Sequence, residues 1–175
     1  MPPLIVTTAA IFIAVCITLD VRTRRIPNLV TGSTMVLGTI LNTAYSGGSG
    51  LAASLLGVFV PMTILLLPFA MGGIGGGDVK MMGALGALVG PRLALWGLVL
   101  GMILGGVIMM FHLARRGRLG EKVRATGAMV RAAAATGSVA PLHVTSESPG
   151  SVALPYSVPL GLGSLMVLAA LRVWR

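Results

Sequence analysis

Carboxylates are scarce in this chain: four among 175 residues, against 13 lysines and arginines. Cysteine is scarcer still. With Cys16 alone, an internal disulfide and a thiolate metal cluster are both excluded. The two histidines, His112 and His143, stand isolated, so metal-ligand spacing is lacking, and neither a metal nor a cofactor is expected. Aromatic residues make up only 5% and do not interleave with the basic ones. The net charge of +9 therefore does not build a stacking groove, and nucleic acid is not an expected partner. Charged residues total 10%, where a soluble domain carries about a quarter. The first apolar run has no basic segment before it; its charges follow it, which is unlike a signal peptide.

What is abundant is apolar: 55% of the residues. The chain reads as an integral membrane protein, all-α, with residues 1–175 forming one membrane-embedded domain. A bilayer is crossed by roughly 20 apolar residues. Six such spans are expected, at about 4–20, 28–45, 51–71, 79–90, 93–113 and 152–172. The fourth is short and ends at Gly90-Pro91, as a half-helix or a span in thinned, wetter surroundings would.

Basic residues set the orientation, because they gather on the cytoplasmic side. Arg22, Arg24, Arg25, Lys80, Arg115, Arg116, Arg118, Lys122, Arg124 and Arg131 fall in the first, third and fifth loops, ten residues on one side. Arg92, Arg172 and Arg175 oppose them. Both termini are thus expected outside, in a multi-pass protein. Residues 114–150 form a basic cytoplasmic loop. Leu119, Val123, Thr126, Val130 and Ala134 share a helical stripe in it, so 119–134 is either a helix lying on anionic lipid or a solvated loop. Gly97, Gly101 and Gly105 repeat every four residues, a spacing for close helix packing. Pro61 and Pro68 are expected to kink the third span, and Pro155 and Pro159 to loosen the start of the sixth.

Two of the four acids stand where ionised groups are costly, about 2.5–3.5 kcal/mol each well inside a bilayer. Asp20 ends the first span and Asp78 begins the fourth, so charge counting puts both at the cytoplasmic face. Two carboxylates side by side share a proton and hold a water, one acid abstracting while the other donates to a carbonyl oxygen. Gly75 and Gly77 precede Asp78 and let backbone run close to an extended substrate. The plainer alternatives are an ion pair of Asp20 with Arg24 or Arg25, and a helix cap or Lys80 partner for Asp78. They leave the glycine run unexplained.

Three stretches carry a resemblance. Asp20-Val-Arg-Thr-Arg-Arg-Ile-Pro-Asn28, Gly75-Gly-Gly-Asp-Val-Lys-Met-Met-Gly-Ala-Leu-Gly86 and Leu154-Pro-Tyr-Ser-Val-Pro-Leu-Gly161 resemble, in order, the two aspartate motifs and the C-terminal Pro-Tyr-x-x-Pro stretch of the type IV prepilin peptidases. The resemblance implies an aspartic endopeptidase of a bacterial or archaeal cytoplasmic membrane that removes basic leader peptides from prepilins at the cytoplasmic face. It implies Asp20 and Asp78 as the catalytic pair, with Pro27, Asn28, Gly75, Gly77, Lys80, Pro155 and Tyr156 toward the substrate. The large first loop with paired Cys-x-x-Cys motifs is missing, as in the short peptidases of tight-adherence (Flp) pilus systems. N-methylation of the product is therefore not expected. The competing readings are another aspartic membrane protease, such as one trimming signal peptides, and a small transporter or assembly scaffold whose acids bind an ion or proton. The Ile-Pro-Asn motif argues against the first, and the lack of an inverted repeat against the second.

Overall fold

A computed structural model of the chain describes residues 1–117 and 156–173 and, between them, positions 120, 124, 127, 128, 131 and 135. Among the described residues the fold is all-helical, with α1 (Pro3–Thr23), α2 (Asn28–Ala70), α3 (Gly76–Val89), α4 (Pro91–Arg115) and α5 (Ser157–Val173). Of these, α1, α2 and α4 are long and apolar enough to cross a membrane. The stripe Leu119, Val123, Thr126, Val130 and Ala134, expected either as a helix on lipid or as a solvated loop, lies outside the described residues, as does Pro155.

The 43 residues of α2 are not one rod. Gly47 leaves helical geometry at φ 61° and ψ −139°, a conformation that glycine adopts without a β-carbon penalty. In a straight helix, residues 38 and 54 would stand about 24 Å apart at 1.5 Å per residue. Yet Ser54 Oγ reaches the Gly38 carbonyl at 3.4 Å. The chain doubles back at Gly47, and α2 is a hairpin of two antiparallel arms. These arms correspond to the second and third apolar runs of the sequence. Pro61 and Pro68 lie within the returning arm.

The short helix α3 sits inside the bundle and packs on α1, α2, α4 and α5. From Asp78 to Val89 every residue except Lys80 is buried. A helix apolar on all sides belongs in an interior. Its Met81, Met82, Leu85 and Leu88 form the core with Ile5, Phe12 and Ile13 of α1, Leu65 of α2, Leu98 of α4 and Leu160 of α5. Contact with the α2 hairpin is close: a β-carbon on Gly57 would collide with the Gly86 carbonyl, and one on Gly86 with the Gly57 carbonyl. The Gly97–Gly101–Gly105 stripe does the same for α4 and α5, since β-carbons there would meet Ser164, Leu160 and Pro159 in turn. Such contacts suit helices that associate by backbone approach, with no water to expel between them.

α3 has 14 residues, about 21 Å of helix at the standard rise. Its last carbonyls need partners, because an unsatisfied backbone group is costly away from water. The Ala87 carbonyl would be served by the residue four positions on, but that is Pro91, which has no N–H. Asn42 Nδ2 donates instead to the Ala87 and Leu88 carbonyls, both at 2.9 Å, and Ser54 Oγ donates to Ala87 at 2.8 Å. Two polar side chains of the α2 hairpin thus let α3 end inside the protein.

Outward faces are apolar. Ile11, Leu29, Ile40, Phe59, Leu67, Trp96, Ile103 and Phe111 are all exposed. Contiguous surface of this kind is foreign to water-soluble monomers and fits a lipid surround.

Candidate active site

Asp20 lies in the last turn of α1, three residues before its end, where the expected span had stopped. The helix closes at Arg24, in left-handed geometry (φ 51°), whose N–H donates to the Asp20 carbonyl at 2.8 Å. Thr23 Oγ1 donates to the carbonyls of Leu19 and Arg25 and ties the turn down. The chain then enters Ile26-Pro27-Asn28, with Pro27 preceding α2 as its N-cap.

Asp78 is the third residue of α3. The glycine run before it divides into parts with separate duties. Gly72, at φ 75°, ends α2: its N–H bonds to the Phe69 carbonyl and that of Gly73 to the Pro68 carbonyl, both at 2.9 Å. Gly75 is the N-cap of α3, and Asp78 Oδ2 lies 3.3 Å from where a β-carbon on Gly75 would be. From the third helical position a carboxylate reaches back to the cap amide. At Gly77 the added atom would meet Ile26 at 3.5 Å, so the first motif lies over the second.

These elements bring the two acids together at one end of the bundle. Asp20 is half-buried and Asp78 is buried at 7% exposure, and Asp78 lies near enough to Asp20 to feel its charge. Cys16, one turn before Asp20 and fully buried, lies within reach of both. Of the plainer alternatives, the helix-cap position is occupied, since Asp78 stands in the first turn of α3 beside its Gly75 N-cap, whereas the Lys80 partnership is not formed. Lys80, exposed, gives its ammonium to Asn28 Oδ1 at 2.9 Å, not to Asp78. Asp20 Oδ2 accepts a hydrogen bond from Ser157 Oγ at 2.5 Å, while Arg24 and Arg25 are exposed.

The other sequence-identified residues are distributed around this centre. Gly75 is exposed and Gly77 half-buried beside Asp78. Pro27 and Asn28 are exposed at the start of α2, and the Asn28–Lys80 bond ties that loop to α3. Tyr156, half-buried, packs against the core, its ring 3.8 Å from a β-carbon position on Gly105. Pro155, Glu121 and Glu147 lie outside the described residues. Sequence reasoning missed Ser157, Asn42 and Ser54. The signal for Ser157 was a hydroxyl inside the Pro-Tyr-x-x-Pro stretch, next to residues already singled out. Among the described residues no group of three or more His, Cys, Asp or Glu is placed to hold a metal ion.

Comparison with known families gives one finding. A family model described as the type IV leader peptidase family matches residues 7–110, more than half of the chain, and this range includes both aspartates. Comparison with curated proteins and with solved structures gave no match.

Proposed function

The chain belongs to the type IV leader peptidase family, and we propose that it is a membrane aspartic endopeptidase that removes the basic leader from Flp-like prepilins at the cytoplasmic face. What supports this reading is that α1 packs on α3 and sets Asp20, at the end of one, close enough to Asp78, at the start of the other, for its charge to be felt there. In the proposed reaction one carboxylate takes a proton from a water as its oxygen adds to the scissile carbonyl. The other, protonated, gives its proton to the carbonyl oxygen. The tetrahedral diol then collapses: a hydroxyl proton returns to the second acid, the C–N bond breaks, and the first acid protonates the leaving amine. Both acids end as they began.

The topology proposed with it has six membrane segments: α1, the two arms of α2, the short α3, α4 and α5. Both termini are outside. Arg22, Arg24, Arg25 and Lys80 lie at the same end as the acids, which supports a cytoplasmic site. A basic leader is poorly matched to these arginines, which fit lipid phosphate better. The acids and the carbonyls of Gly72–Gly77 are the leader-facing groups, and prepilins and anionic lipids are the partners.

Incubating detergent-purified protein with a prepilin tests the proposal. The expected result is one discrete mass loss equal to the leader. An intact prepilin after prolonged incubation with folded protein contradicts it and returns the acids to ion or proton binding in a transporter or scaffold.

A further inference from the structure

Ser157 is 0% exposed at the first position of α5, yet its hydroxyl does not serve that helix. It crosses to α1 and donates to Asp20 Oδ2 at 2.5 Å, linking residues 137 apart in sequence. That separation lies within the range of hydroxyl–carboxylate bonds, which are shorter and stronger than neutral ones. Burying a hydroxyl is unfavourable without a partner, and Asp20 is the partner this one has. The placement is held from behind. Gly161, one turn on, packs so closely on α1 that a β-carbon would lie 2.7–2.8 Å from Ile17 and Ile13. On the other side, α5 packs on the glycine stripe of α4.

We propose that Ser157 is a positioning residue for the peptidase reaction: it holds Asp20 Oδ2 and leaves Oδ1 as the oxygen that exchanges a proton with water. The inference rests on the two-aspartate reading of the site. It gives α5, which lies beyond the stretch matched to the family, a part in the chemistry. Asp78 Oδ2 lies beside Gly75 at the start of its own helix, so the two carboxylates have different neighbouring elements. The helix limits the first side-chain torsion of Asp20 but leaves the turn of its carboxylate to be set by a partner. Small misplacement of a reacting group costs up to about 100-fold in rate.

The test uses the full chain and a purified prepilin, with kcat and KM measured separately. Ser157→Thr and Ser157→Val have the same shape and differ by one hydroxyl, so any packing penalty is common to both. Ser157→Val should lose roughly 10–100-fold in kcat with KM unchanged, and Ser157→Thr should retain most of the rate. Ser157→Ala removes the hydroxyl without adding bulk and should match the Val loss in kcat. An Ala variant as fast as the parent overturns the proposal, whatever the β-branched pair does. Equal rates for Thr and Val overturn it too. Asp20→Asn run in parallel separates the two levels. If it cleaves normally, the two-aspartate reading itself fails; if it is inactive while Ser157→Ala is normal, only the role of Ser157 falls.

Discussion

Removing the side chains that end α3 should be costly in a pattern set by which carbonyl loses its donor. Ala87 receives two bonds, from Asn42 and Ser54, whereas Leu88 receives one of these, from Asn42. Ser54→Ala leaves Ala87 with Asn42, so the loss is that of one redundant interhelical bond, about 0.6 kcal/mol in membrane proteins. Asn42→Leu leaves Leu88 without its side-chain donor, and a buried polar group left unpaired costs about 1–3 kcal/mol. In the double variant Ala87 loses both donors as well. Its cost should exceed the sum of the single costs by about 1 kcal/mol, the coupling expected of groups that share a partner. Pro91 sharpens the effect, because the backbone cannot supply the missing N–H. The assay is equilibrium unfolding in mixed micelles, followed by helicity, for the parent, both singles and the double. Strict additivity, or an Asn42→Leu variant as stable as the parent, would refute the view that these side chains terminate α3.

The remaining predictions concern packing, topology and product. Gly86→Val forces α3 off the backbone of Gly57 and should cost several kcal/mol or prevent folding, while Gly106→Ala, which meets nothing within 4 Å, should be neutral or slightly stabilising in thermal unfolding. Single cysteines introduced by Gly48→Cys and Gly120→Cys should react with an impermeant thiol reagent from opposite faces, Cys16 being buried; labelling of both from outside intact cells would contradict the topology. The mature pilin should keep a free N-terminal amine, so a product heavier by the mass of one methylene, about 14 Da, formed by this protein alone would be the contrary result.

Hydropathy made most of the architecture legible. The apolar runs mark the helices, and the break between the second and third runs is where Gly47 turns the chain. The Gly97–Gly101–Gly105 stripe announced a close helix pair because a period of four keeps small residues on one face. The acids stood out because carboxylates are rare in so apolar a chain. What the sequence left hidden is pairing between distant segments. Nothing local joins Ser157 to Asp20 or Asn42 to Leu88, since each bond depends on how helices far apart in sequence pack. Lys80 likewise looked available to Asp78 or to a substrate, and only the folded loop brings it to Asn28. The fourth apolar run was short for a span, and the reason, carbonyls satisfied by another helix pair, lies outside the run.

The account stands on Asp20 and Asp78 acting as one unit, and their replacement tests it most directly. Asparagine keeps the size of each side chain but cannot exchange the proton. Asp20→Asn and Asp78→Asn should each abolish leader cleavage of a co-expressed prepilin, with both variants present in membranes at the parent level. The double variant should be no worse than either single, as for groups that work together. Glu121→Gln and Glu147→Gln should cleave almost normally. Substantial processing by either Asp→Asn variant at normal abundance would contradict the central claim.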